Sequence, residues 1–268
     1  MRTLLAALSA ALVMTLSPLA LPASYAGEYP TSPDGDPPGA NDWSCQPTAA
    51  RPTPVILVHG TFGDRKHLLE RLSQAIKDEG FCVFSLDYGN RGTGDIADSA
   101  RELKRYTQRV LEATGAERVS MVGHSQGGMM PRYYVKFLGG TAVVDDLVGM
   151  APSNHGTTIS QGDNAGCRAC EQQAAGSRFL QRLNAGDETP GGVSYTQITT
   201  RYDEVVAPHT SGYLAAGPRT TNLTIQDVCP LDVSEHLLIP TSTTTIAIAL
   251  NALTRSGPAR PDVEVACL

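Results

Sequence analysis

Short unbroken apolar runs alternate along the chain with longer stretches in which apolar residues recur every three or four positions. Pro54-Val55-Ile56-Leu57-Val58 is such a run, and its lack of alternation predicts a strand buried on both faces. Phe81-Cys82-Val83-Phe84-Ser85-Leu86, Arg118-Val119-Ser120-Met121-Val122 and Leu147-Val148-Gly149-Met150 predict three more strands. Residues 195–199 and 223–228 predict the last two. Between them the helical period shows. Leu68, Leu69, Leu72 and Ile76 share one face over 66–78, and Ile96, Ala100, Leu103, Tyr106, Val110 and Leu111 share another over 95–113. Met129, Met130, Tyr133, Tyr134 and Phe137 mark a third helix over 126–138. Pro131 falls inside it, where nearness to the first turn makes the missing N–H inexpensive. A last helix over 241–254 opens on poor helix formers, Thr241 to Thr245, yet keeps Ile246, Ala249, Leu250 and Leu253 on one side. Strand–helix alternation predicts an α/β fold with a mostly parallel central sheet flanked by helices. Residues 27–53, rich in Pro, Gly and Asp, predict an extended N-terminal segment before a domain over 54–268. The stretch 152–192 is too long for a plain connection and predicts an insertion over one sheet edge.

Residues 1–26 follow a different pattern. Arg2 precedes an apolar stretch from Leu4 to Leu16, and Ser24-Tyr25-Ala26 supplies the small residues of a cleavage site. This predicts a secretory signal peptide and a secreted, extracellular protein. Pro18, Pro22 and the short run argue against an anchor, which needs about 20 apolar residues, so no transmembrane anchor is expected. All six cysteines lie after the expected cut, and an even count in an exported chain predicts disulfides. Proximity points to Cys167–Cys170, which leaves Cys45–Cys82 as an N-terminal staple and Cys229–Cys267 as a C-terminal one. A redox or zinc reading of Cys167-Arg-Ala-Cys170 lacks a second CxxC and a thioredoxin-type surround. With 41% apolar residues the chain is no disordered segment, and a net charge of −6 speaks against nucleic acid and anionic membrane as partners. A monomer is expected.

The sharpest chemical signal is Gly123-His124-Ser125-Gln126-Gly127-Gly128, between a predicted strand and a predicted helix. That context is what a G-x-S-x-G nucleophile elbow requires: the serine is lifted to the end of the sheet, and the following helix points free N–H groups at the same spot. A serine hydroxyl needs a base, and the base an orienting acid. In this arrangement the chain order is Ser, acid, His. His236, after the last predicted strand, fits the base. His155 comes too early and His209 too close to the acid, and both read as structural histidines, with a pocket-rim role left open for His155. Asp203, in Thr200-Arg201-Tyr202-Asp203-Glu204-Val205-Val206, fits the acid, with Glu204 as its competitor. His59-Gly60-Thr61-Phe62-Gly63 follows the first strand, where the Thr61 N–H would pair with that of Gln126 as oxyanion donors and the Thr61 hydroxyl would add a third.

HGTFG at 59–63, GHSQGG at 123–128, APSNHGT at 151–157, TRYDEVV at 200–206 and the late His236 together resemble secreted bacterial lipases of the α/β-hydrolase superfamily. The closest likeness is to actinobacterial, Streptomyces-type triacylglycerol lipases, and the chain is more distantly similar to fungal lipase B of the Candida antarctica type. The resemblance spans about residues 50–268. It implies an α/β-hydrolase fold, Ser125, Asp203 and His236 as catalytic triad, Thr61 and Gln126 as oxyanion donors, and no cofactor or metal. It implies hydrolysis of carboxylic esters at a transient lipid–water interface. A carboxylesterase of shorter or soluble esters and a secreted acyltransferase use the same triad. Residues 158–180, polar and closed by Cys167 and Cys170, are a candidate short lid.

Overall fold

The computed structural model describes residues 35–159 and 166–267. The expected signal peptide, the start of the N-terminal segment and residues 160–165 of the insertion lie outside the described residues. Six strands form one sheet: β1 (Val55–Val58), β2 (Val83–Leu86), β3 (Val119–His124), β4 (Val144–Met150), β5 (Ser194–Thr199) and β6 (Thr220–Thr224). Their order is β2-β1-β3-β4-β5-β6, and every neighbouring pair is parallel. The chain starts in β1, steps outward to β2, then crosses back to β3 and continues outward to β6. In open α/β sheets the crevice forms where the winding reverses, outside the C-terminal ends of the strands. Here that point lies between β1 and β3, and their register sets Val58 beside Gly123. The loops leaving both strands therefore emerge side by side.

Among the described residues seven right-handed α-helices flank the sheet: α1 (Glu70–Asp78), α2 (Ile96–Thr114), α3 (Gln126–Phe137), α4 (Arg168–Gln172), α5 (Arg178–Asn184), α6 (Ile225–Val228) and α7 (Thr243–Leu253). Successive residues of a strand point to opposite faces. Val55 and Leu57 of β1 thus join Leu69, Leu72 and Ile76 of the α1 side, with Ile248 and Ala252 of α7, in one core. Ile56 and Val58 join Ile96 and Leu103 of α2 and Met129 and Met130 of α3 in the other. Burial on both faces is why β1 carries an unbroken apolar run.

Four details differ from the sequence pattern. Helix α1 begins at Glu70 rather than 66, because the Asp64 carboxylate takes the N–H groups of Lys66 and His67 at 2.9 Å and Leu68 sits at φ +64°. Pro131 stands in the second turn of α3, where it removes the N–H that would reach the Gly127 carbonyl. Strand β6 ends at Thr224, and the chain then turns helically, with Cys229 N–H on the Ile225 carbonyl at 2.7 Å. The turn releases Gln226 from the sheet to hold Arg201 N–H and the Thr200 hydroxyl, both at 2.9 Å. The described part of the insertion does not lie over a sheet edge. β4 and β5 are neighbours inside the sheet, and Cys167, Cys170, Leu180 and Leu183 pack into the core on the α2–α3 side.

The N-terminal segment lies against β2, an edge strand. Asn41 donates its N–H to the Val83 carbonyl at 2.9 Å, and its side chain holds both main-chain groups of Ser85 at 2.9 Å. Trp43 packs on Phe84 and Tyr106, with Arg109 over its ring at 4.1 Å. The disulfides are Cys45–Cys82, Cys167–Cys170 and Cys229–Cys267, the pairing that proximity suggested. Among the described residues no helix is long and apolar enough to cross a membrane.

Candidate active site

β3 ends at His124 and α3 begins at Gln126, so Ser125 alone makes the turn. Its backbone has φ +55° and ψ −123°, a conformation that costs a non-glycine residue on the order of 1–3 kcal/mol. The sharpness of the turn explains its small flanks: a Cβ on Gly123 would lie 1.9 Å from the Gly127 carbonyl oxygen. Ser125 N–H donates to Met150 of β4 at 2.8 Å, and its carbonyl accepts from Gly128 N–H at 2.9 Å. The residue is thus held by the sheet on one side and the helix on the other, with its side chain at the positive end of α3.

The loop after β1 passes close to this turn, since a Cβ on Gly60 would lie 3.0 Å from Ser125 Cβ. The Tyr88 hydroxyl donates to the His59 carbonyl at 2.7 Å, and the two rings stack 4.3 Å apart. Burial pushes the His59 imidazole pKa down, keeping the ring neutral. Residues 89–92 make a single left-handed turn, with Asn90 at φ +49° and Arg91 at φ +59°. The Arg91 carbonyl accepts from Phe62 N–H at 2.7 Å, and its guanidinium donates to the Phe62 carbonyl. Phe62 is therefore clamped at both main-chain groups, which fixes its neighbour Thr61. Among the described residues Thr61 N–H has no main-chain partner. As the first residue of α3, Gln126 has no intrahelical acceptor for its own N–H either.

His236 and Asp203 come together although 33 residues apart, with Nδ1 of the ring 2.9 Å from the carboxylate and both side chains buried. Asp203 Oδ1 also accepts from Val205 N–H at 3.0 Å and Val206 N–H at 2.7 Å. Glu204, its sequence competitor, is exposed. The His236 carbonyl accepts from His124 Nε2 at 2.8 Å, and the two rings lie 4.9 Å apart. The main chain of the imidazole-bearing loop is thereby tied to the residue just before Ser125. Burial, reinforced by His236, pushes His124 down to about 3, so it is neutral and its Nε2 carries the proton this bond needs.

The remaining histidines are engaged elsewhere. His155 meets Glu188 at 2.9 Å and the Ser211 carbonyl at 3.1 Å, and the Glu188 carboxylate raises its pKa. His209 sits edge-on to Tyr213. Two residues with structural consequences were invisible in the sequence pattern. They are His124, inside the elbow motif, and Gln173, within the polar insertion. Gln173 is buried, with Nε2 3.0 Å from Thr61 Oγ1 and Oε1 2.8 Å from the Ser153 hydroxyl. No periodicity or motif marks such a long-range amide contact. Among the described residues no group of three or more His, Cys, Asp or Glu side chains is placed to hold a metal ion.

Large exposed apolar side chains gather at the same end of the molecule. Phe62 follows β1, Ile159 follows β4 and Tyr202 follows β5, while Leu231, Val233, Leu237 and Leu238 lie in the loop carrying His236. Leu231 is 79% exposed and Val233 71%. Phe62, Ile159 and Tyr202 lie in segments leaving the C-terminal ends of strands, the end that carries Ser125, and the other four follow the short helix α6 beyond β6.

Residues 52–248 match the family model of class 2 lipases. The chain is 31% identical over 119 residues to a triacylglycerol lipase of Pseudomonas fragi, covering 40% of this chain and 36% of that protein. It is 35% identical over 97 residues to a triacylglycerol lipase of Pseudarthrobacter phenanthrenivorans, covering 32% of this chain and 28% of that protein. The matched stretches span about a third of the length of these relatives. Among solved structures, Aspergillus fumigatus lipase B superposes with a TM-score of 0.71 at 21% identity, over 84% of this chain and 57% of that one. Mature Bacillus licheniformis lipase BlEst2 gives 0.59 at 14% identity, over 78% of this chain and 95% of that one. At such identities the likeness is one of fold, which is that of the α/β-hydrolases.

Proposed function

The chain belongs to the class 2 lipase family, and from that premise we propose that it is a secreted serine hydrolase cleaving carboxylic esters, triacylglycerols above all. Ser125, Asp203 and His236 form the catalytic triad, and the N–H groups of Thr61 and Gln126 form the oxyanion site. Ser125 Oγ attacks the ester carbonyl while His236 Nε2 takes its proton. Asp203, on Nδ1, holds the tautomer with its lone pair on Nε2 and stabilises the imidazolium that forms. The two N–H groups hold the oxyanion, where loss of one donor costs about 10²–10³ in rate. The imidazolium returns its proton to the leaving alcohol, and water then hydrolyses the acyl-enzyme by the same steps.

The observation that carries this reading is the strained Ser125 turn with the Asp203–His236 pair beside it, tied to it through His124. The apolar residues around the same end support a lipid–water interface as the place of action. Three disulfides support an oxidising, extracellular destination. The test is a chain-length series of p-nitrophenyl esters and a triglyceride emulsion, with wild type and Ser125→Ala, and fluorophosphonate labelling of Ser125. Hydrolysis of long-chain esters and of emulsion, abolished in Ser125→Ala, is expected. Activity surviving in Ser125→Ala would overturn the reading. Cleavage confined to short soluble esters would make the protein a carboxylesterase, and acyl transfer to an added alcohol outrunning hydrolysis would make it an acyltransferase.

A further inference from the structure

The hydrogen bonds at the Thr61 hydroxyl leave it only one role. Thr61 Oγ1 accepts from Gln126 Nε2 at 2.9 Å and from Gln173 Nε2 at 3.0 Å. A hydroxyl offers two lone pairs and one proton. Both acceptor directions are filled, and the proton is what remains, aimed along the fourth direction of the oxygen. Neither amide can be turned around. Gln126 Nε2 also donates to the Gly92 carbonyl at 2.6 Å, and Gln173 Nε2 to the Ala169 carbonyl at 3.2 Å. A flipped amide would set one carbonyl oxygen against another. Among the described residues Gln126 Oε1 is buried without a hydrogen-bond partner, so this side chain is placed for its donors.

We infer that Gln173 is a positioning residue of the oxyanion site: by holding Thr61 Oγ1 as an acceptor, it turns the hydroxyl proton toward the developing oxyanion. The hydroxyl then acts as a third donor beside the two N–H groups. This rests on the oxyanion role proposed above for Thr61. The insertion is what brings Gln173 there. Helix α4, closed at its start by Cys167–Cys170, is docked through Ala169 N–H on the Thr93 carbonyl at 3.1 Å. Gln172 takes Ile96 N–H at 2.9 Å and donates to the Asp95 carboxylate at 2.8 Å. The described part of the insertion is thus a buttress behind the oxyanion loop rather than a flap over the site.

A double-mutant cycle on a soluble p-nitrophenyl ester, with disulfides intact, tests this. Gln173→Leu is expected to lower kcat by about tenfold with KM little changed, and Thr61→Val to lower it at least as much. In the Thr61→Val protein, Gln173→Leu should add no further loss, because the hydroxyl it steers is gone. Gln173→Glu gives an independent readout. Its carboxylate would accept the Thr61 proton and draw it away from the oxyanion, so kcat should fall as that carboxyl ionises and recover when it is protonated. This holds even where Gln173→Leu fails to fold. Wild-type kcat in Gln173→Leu, multiplicative losses in the cycle, or a Gln173→Glu pH profile parallel to wild type would each overturn the inference. A protein whose activity needs Ser125 and Thr61 but not Gln173 would overturn this inference alone and leave the proposed function standing.

Discussion

Asp203 divides its carboxylate between two tasks: it takes the N–H groups of Val205 and Val206, and it faces His236 Nδ1. The first fixes the carboxylate in place, and the second selects the ring tautomer. Asp203→Asn would present an amide N–H to Nδ1 and force the ring proton onto Nε2, where the base must be free. Steady-state kinetics should then show kcat lower by on the order of 10⁴ at similar KM, without a large fall in Tm. A second single residue matters for stability rather than rate. Asp146 is buried in β4 at the opposite end of the sheet, with the Ser120 hydroxyl at 3.1 Å. Burial, then neighbouring Asp145, raises its pKa to about 7. The unfolded chain loses this proton near 3.8 and the fold keeps it until about 7, so over that window the native state binds more protons and stability falls as pH rises. Asp146→Asn removes the penalty. Thermal melts should show a gain at pH 8 of up to roughly 4 kcal/mol and almost none at pH 4.

At the scale of elements, what the sequence pattern conveyed was the sheet and its serine turn, because both follow from local rules. Unbroken apolar runs such as 54–58 arise only where both faces are covered, and Gly123-x-Ser125-x-Gly127 arises because a strand and a helix must nearly touch. The order proposed for acid and base was read from the same kind of rule, since each candidate lies in a loop beyond a strand. Asp203 against Glu204 was not, because neighbours in a loop differ only in where the chain aims them. The left-handed turn at 89–92, the tie from His124 to the His236 carbonyl and the docking of α4 were equally hidden. The first is a backbone choice that no apolar period marks, and the other two are long-range contacts of polar groups. The tightness of the loop after β1 yields a prediction of its own. Gly60→Ala would press its Cβ to 3.0 Å from Ser125 Cβ and 3.1 Å from His124 Nδ1. We expect folded protein by circular dichroism with kcat reduced at least tenfold, as the Thr61 N–H is displaced from the oxyanion.

Across the whole molecule, the two ends of the sheet differ. One carries Ser125 and a fringe of bare aliphatic side chains, and the other carries Asp146. Leu231 and Leu238, in the His236 loop, are exposed and outside the proposed catalytic group. Leu231→Ser with Leu238→Ser should leave hydrolysis of a soluble ester near wild type and lower the rate on a triglyceride emulsion several-fold, read as initial rates on the two substrates side by side. The opposite flank has its own exposure problem, which the N-terminal segment solves. Asn41 and Trp43 lie along the outer margin of β2, and Cys45–Cys82 fastens them there. A protein trimmed back to residue 53 would retain every proposed catalytic group but uncover a row of unpaired main-chain donors and acceptors. Such a margin is a template on which like molecules zip together, so light scattering should detect self-association that grows with concentration. The same ribbon of residues that touches no substrate would then decide whether the enzyme stays dispersed long enough to work.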